Sequence, residues 1–265
     1  MDHLSELENQ SIFIIREGYS QFHKVAMLWS IGKDSTTLLW LIRKAFFGKL
    51  PFPVVHLDTG YKFKEIYQFR EKYAKEWGLN LIVHRNEQAL KKGINHNNTL
   101  ECCTQLKTNN LKNAIDEYKF RALFLGIRRD EHGIRAKERV FSPRDDNFQW
   151  NYKSQPLELW DQFKSKTKSE EHIRIHPLLG WTELDIWLYI QRENIPTVSL
   201  YFAKDGKRYR SIGCEPCCQP VESHADTLDK IIKEIKTTDI SERSGRSQDK
   251  ESAYMMQKLR SLGYM

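Results

Sequence analysis

The stretch KVAMLWSIGKDSTTLLWLIRKAFF, residues 24–47, decides the fold class. Residues 24–28 form an apolar run short enough for a buried strand, residues 29–35 break it with small and polar side chains, and residues 36–47 resume it at helical spacing. A strand, a tight loop and a helix in that order make the first half of a βαβ crossover, the unit that builds parallel sheets. The pattern repeats outward from here. PFPVVHLDTG (51–60) reads as a second buried strand ending in a turn, and residues 63–78 as an amphipathic helix. NLIVHR (80–85) gives a third strand, residues 106–119 a helix, and RALFLGIRRD (121–130) a fourth strand. Residues 4–23 precede the unit with helical apolar spacing.

Strands alternating with helices predict an α/β fold, a parallel sheet flanked by helices on both faces. Ligands in such sheets bind beyond the carboxyl ends of the strands. The loops Ser30–Ser35, Asp58–Gly60 and Gly126–Asp130 each follow a strand, so they are expected to converge on one rim. Residues 145–175 are polar and poorly periodic and read as a long surface excursion. Residues 176–194 read as a helix with Thr182 as N-cap and Trp187 on its apolar face. Composition changes near residue 204, which divides the chain into an α/β nucleotide-binding domain (1–203) and a C-terminal cysteine-containing, basic segment (204–265).

The loop SIGKDS (30–35) has the chemistry of an anion site. Backbone amides in a tight glycine-containing turn at a helix start point at one spot, the helix dipole favours negative charge there, and Lys33 adds a mobile cation. The spacing is not that of a Walker loop. The plain alternative is an ordinary strand-to-helix turn with a serine cap.

This loop resembles the pyrophosphate-binding loop of the PP-loop ATPases, with Ile31 in place of the first glycine. That departure, together with residues 51–70, 128–139, 181–190, and 222–235 running into SERSGR (241–246), resembles the small subunit of the two-component sulfate adenylyltransferases. The resemblance covers nearly the whole chain. It implies an adenine nucleotide alpha-hydrolase-like fold and cleavage of ATP between the alpha and beta phosphates. Ser30, Gly32, Lys33, Asp34 and Ser35 would hold the pyrophosphate with magnesium nearby, and Asp58, Thr59 and Gly60 would border the nucleoside, unless Asp58 only caps the next helix. It also implies a larger GTPase partner to drive an uphill anhydride synthesis, and the segment 241–246 is a candidate lid or partner-docking stretch.

Joining two anions demands cations more than proton transfer, because sulfate is fully ionised at neutral pH. RRDEHGIRAKER (128–139) is the dense basic block, and Arg128, Arg129 and Arg135 with Lys33 are the catalytic candidates. Asp130, Glu131 and Glu138 lie among them, so part of the block is paired with carboxylates.

All five cysteines fall in two motifs: Cys102 and Cys103 in ECCTQLK, and Cys214, Cys217 and Cys218 in GCEPCC. Adjacent residues on a helix diverge by about 100°, awkward for one tetrahedral zinc and better suited to the separate corners of a four-iron, four-sulfur cluster. Cys102, Cys103, Cys214 and Cys217 are the expected ligands, with unligated buried thiols as the alternative. These motifs resemble the iron-sulfur motifs of the assimilatory adenylyl-sulfate reductases. A reductase would also need a nucleophilic cysteine in a C-terminal tail, and no cysteine follows Cys218. Three activities therefore stand in order: sulfate adenylylation, reduction of adenylyl or phosphoadenylyl sulfate through Cys218, and a PP-loop tRNA sulfurtransferase.

The net charge of +7 agrees with anionic partners, but no basic-aromatic patch marks a nucleic-acid surface, and nucleic acid is not expected. No apolar run approaches the roughly 18 residues of a membrane span, so a cytoplasmic protein without membrane attachment is expected.

Overall fold

The computed structural model describes residues 1–163 and 172–246. Its centre is a six-stranded sheet in the order β3-β2-β1-β4-β6-β5. Strands β1 (Val25–Leu28), β2 (Val54–Leu57), β3 (Leu81–His84), β4 (Ala122–Phe124) and β6 (His172–Ile175) run parallel, and β5 (Phe141–Arg144) closes one edge antiparallel to β6. Successive side chains on β1 enter opposite cores, as the two-residue period of a strand requires. Val25 and Met27 join the core built with α1 (His3–Gln21), α2 (Lys33–Ala45), α3 (Lys64–Glu76) and α7 (Glu183–Glu193); Ala26 and Leu28 join the one under α6 (Asn110–Tyr118).

Between β3 and α6 lie the short helices α4 (Glu87–Lys91) and α5 (Thr99–Cys103), then a π-helical turn at Thr104–Asn109. A π turn inside a helix widens the backbone, and such turns gather at functional sites. This one begins directly after Cys103. A two-stranded ribbon of β7 (Lys207–Arg208) and β8 (Val221–Glu222) leads to α8 (Leu228–Thr237), whose Ile231 and Ile232 enter the main core beside α7 residues. The described residues of the C-terminal segment are thus packed onto the α/β body.

Two expectations are corrected. The polar excursion expected over 145–175 ends in β6, an internal strand buried along its whole length. Its sequence HIRI hides the strand, because His172 and Arg174, 5% and 1% exposed, interrupt the continuous apolar run expected of a strand buried on both faces. The helix expected from residue 176 starts at Glu183, after a turn. Thr182 is its N-cap as expected, in a reciprocal capping box with Asp185, and Trp187 is fully buried.

Candidate active site at the carboxyl rim of the sheet

The parallel register of β1 with β2 and β4 places the three post-strand loops at one end of the sheet. A cleft opens there. Leu28, Val55, Leu57, Leu125 and Ile127 form an apolar wall, and Ser30, Gly32, Lys33, Asp34 and Ser35 form the rim of the phosphate loop.

The loop is built tightly. Ile31 adopts φ 67°, the left-handed region that β-branched residues avoid. Gly32 caps α2 without a side chain, and the Lys33 amide donates to the Tyr201 hydroxyl at 2.8 Å. The Ser35 hydroxyl donates to the Gly32 carbonyl at 3.1 Å and lies 3.1 Å from Ser30 Oγ. Gly126 lets β4 approach: a β-carbon there would lie 3.0 Å from the backbone of Asp34 and Ser35.

Lys33, 1% exposed, sends Nζ to Asp34 (3.2 Å) and to Glu242. Arg128, fully buried, contacts Asp34, Asp130 (2.9 Å) and the second oxygen of Glu242. Burial opposes ionisation of Glu242, yet Arg128 and Lys33 hold its carboxyl far below the ordinary glutamate value. Arg135 lines the cleft, paired with Glu131, which also binds Arg243 at 2.9 Å. Arg129 is exposed at the edge of the block and outside the cleft lining, its amide tied to the Leu179 carbonyl. Glu138 is buried against Arg144 (2.8 Å) and serves the body of the fold.

Asp58 neither lines the cleft nor caps α3, whose N-cap is Phe63. Its carboxylate takes the Gly60 amide (2.8 Å), the Tyr67 hydroxyl (2.9 Å) and Arg85 (2.8 Å), which hold its pKa below the ordinary aspartate value despite the opposing effect of burial. Gly60 turns the chain at φ 76°, and Thr59 Oγ1 lies 3.2 Å from Cys214 Sγ.

The two cysteine motifs meet at the far end of the cleft, beside Lys62 and Lys107. Cys102, Cys103, Cys214 and Cys217 are all buried. Burial, then the neighbouring Cys103 and Cys214, push the Cys102 thiol up to about 12. Burial would raise Cys214 as well, but Lys107 and Lys62 bring it down to about 6, a thiolate at neutral pH. Among the described residues no three His, Cys, Asp or Glu side chains close on a single point suited to one metal ion. Cys218 stands apart: its buried Sγ accepts from the Gly213 amide (3.1 Å) and from Arg246 (3.2 Å).

Sequence reasoning missed Tyr201 and named 241–246 only as a candidate lid or docking stretch, without singling out Glu242, Arg243 or Arg246. The SERSGR stretch carried a signal in its resemblance; a tyrosine reaching a backbone amide from 168 residues away carried none.

The phosphoadenosine phosphosulfate reductase domain matches residues 24–220. The chain is 45% identical to sulfate adenylyltransferase subunit 2 of Geotalea daltonii and 44% identical to that of Sulfurimonas denitrificans, in each case over 100% of this chain and 98% of the relative. Among solved structures, phosphoadenylyl-sulfate reductase from Candida auris superposes with a TM-score of 0.56 at 17% identity, covering 83% of this chain and 97% of that one. FMN adenylyltransferase of Candida glabrata reaches 0.60 at 16% identity, covering 99% and 87%. At these identities the two structures speak for the fold alone. No helix among the described residues is long and apolar enough to cross a membrane.

Proposed function

The chain belongs to the sulfate adenylyltransferase subunit 2 family, within the phosphoadenosine phosphosulfate reductase domain, and from that premise we propose that its cleft joins sulfate to the alpha phosphate of ATP. A sulfate oxygen attacks the alpha phosphorus, the bond from that phosphorus to the bridging oxygen breaks, and pyrophosphate leaves with the electron pair. No proton moves, so no general base is required. Full-length identity of 45% carries this reading. The geometry agrees with it, since a buried lysine and arginine stand behind a helix N-terminus at the carboxyl rim.

Magnesium enters with the triphosphate as part of the substrate. Ser30, Gly32, Lys33, Asp34 and Ser35 hold the phosphates, and Arg128 and Arg135 offset charge developing on the leaving group. The apolar wall takes the adenine. Arg129 serves from the outer edge, and Asp58, Thr59 and Gly60 shape the corner beside the nucleoside. A relative named subunit 2 implies a companion large subunit, for which we propose a GTPase.

We assign Cys102, Cys103, Cys214 and Cys217 to a four-iron, four-sulfur cluster. The four buried thiols share one neighbourhood with Lys107 and Lys62, whose charges would offset that of a cluster, and two adjacent helical cysteines suit separate cluster irons better than one ion. When bound, the cluster supplies a charged, rigid cross-link between α5 and the C-terminal segment. Cys218 is buried and already accepts two hydrogen bonds, which argues against an attacking thiol.

The test uses protein purified anaerobically with any co-purifying subunit, incubated with adenylyl sulfate, magnesium pyrophosphate and a dithiol. ATP and sulfate are expected, with Lys33→Ala lowering the rate at least about 100-fold, the usual cost of losing a transition-state cation or donor. AMP and sulfite would instead assign reduction, and unimpaired turnover of Lys33→Ala would overturn the site.

A further inference from the structure

The segment Ser241–Arg246 lies across the mouth of the phosphate loop, with Glu242, Arg243 and Arg246 buried there. Two glycines allow this approach. A β-carbon at Gly213 would lie 2.3 Å from Arg246 Nη1, and one at Gly245 would lie 2.4 Å from the Gln219 carbonyl oxygen.

The charge around the loop shows what the segment does. Lys33 and Arg128 are the buried cations that Glu242 contacts, and three carboxylates touch them: Asp34, Asp130 and Glu242. Both cations are thus already taken up by carboxylates, so a phosphate reaches the position between them only by displacing one. Asp34 is fixed in the first turn of α2. Asp130 is fixed by its second oxygen, which accepts the Glu183 amide at the start of α7 (2.8 Å). Glu242 sits on irregular backbone, tied to the body nearby by the Gln219 amide on the Gly245 carbonyl (2.8 Å) and by the Cys218–Arg246 bridge. It is the movable member. Its two oxygens bridge Lys33 and Arg128 as two oxygens of a phosphate would.

We propose that the Glu242 carboxylate holds the place of a substrate phosphate between Lys33 and Arg128, and that anion binding exchanges the two and lifts the strap formed by residues 241–246. The inference rests on the reading of SIGKDS as a pyrophosphate loop and locates the anion subsite within it. Coupling is reciprocal: whatever fastens the strap, including the Cys218–Arg246 tie beside the cysteine corner, weakens anion binding by the same factor that the anion weakens the strap.

The test is calorimetric titration of the full chain with inorganic pyrophosphate, comparing the natural protein with Glu242→Gln and Glu242→Ala. Both variants should bind about tenfold tighter or more, because the closed state no longer competes. In the unsubstituted protein, amides of residues 241–246 should exchange hydrogen faster when pyrophosphate is added, a readout that needs no variant to fold. Equal or weaker binding by the variants, or unchanged or slower exchange while pyrophosphate binds, would overturn the strap and leave the phosphate loop standing, with Glu242 as a positioning residue. Failure of all three proteins to bind pyrophosphate would overturn the loop assignment and the strap with it.

Discussion

Ile31 carries a conflict between local and global preference. A β-branched residue at φ 67° costs about 1–2 kcal/mol, a penalty glycine avoids. Its side chain, 1% exposed, packs in the main core, where losing an isoleucine side chain costs about 2–5 kcal/mol. Burial thus outweighs backbone strain, which explains how isoleucine can stand where PP-loops commonly carry glycine. Ile31→Ala loses the packing and keeps the strain; Ile31→Gly loses the packing and is freed of the strain. Urea denaturation should therefore rank glycine above alanine by about 1 kcal/mol, the reverse of their usual order. Glu242 gives a second prediction. Its folded pKa lies below the ordinary 4.5, so the unfolded chain takes up the proton first, and the ion-pair contribution is fully present above 4.5 and lost as pH falls below it. The stability gap between the natural protein and Glu242→Gln should be widest near neutrality and shrink below that value.

At the scale of elements, the site is a contact between β4 and the start of α2. A methyl group at Gly126 would press on the backbone of Asp34 and Ser35, which has no flexible end to yield. Gly126→Ala should cost about 1–3 kcal/mol in stability and raise the KM for pyrophosphate more than tenfold, because the displaced backbone is the one that binds it. Elements of this kind were legible in the sequence because β1 and β4 are uninterrupted apolar runs, β2 is broken only by His56, and the loops after them hold the small and charged residues. Strand β6 was not legible, since His172 and Arg174 are buried polar side chains in a strand whose position comes from pairing with β4. The cysteines were legible as two motifs through their spacing, and their grouping into one site drew on the resemblance as well. Glu242 was not, because nothing local tells a carboxylate 209 residues away that it will meet Lys33.

For the whole molecule, the open question is what holds the C-terminal segment to the sheet. Helix α8 is held by Ile231 and Ile232 in the main core, but residues 211–219 have little apolar surface beyond the cysteines themselves. The loop at Cys214 is tied to the loop after β2 by a Lys62–Cys214 bridge and the Glu215 amide on the Tyr61 carbonyl at 2.8 Å. Four buried thiols make this corner the place where a bound cluster would matter most for folding. A ligand bound only by the folded state adds about 3–4 kcal/mol at a hundred- to thousandfold excess over its dissociation constant. Cys217→Ser, assembled anaerobically with iron and sulfide, should lose the cluster's visible absorption and about that much stability. Limited proteolysis should then cut within residues 204–246 while the sheet and α1 to α3 stay protected. Unchanged absorption and protection would leave the cysteines as packing residues, and loss of protection across the whole chain would mean that the corner supports the sheet as well as the strap.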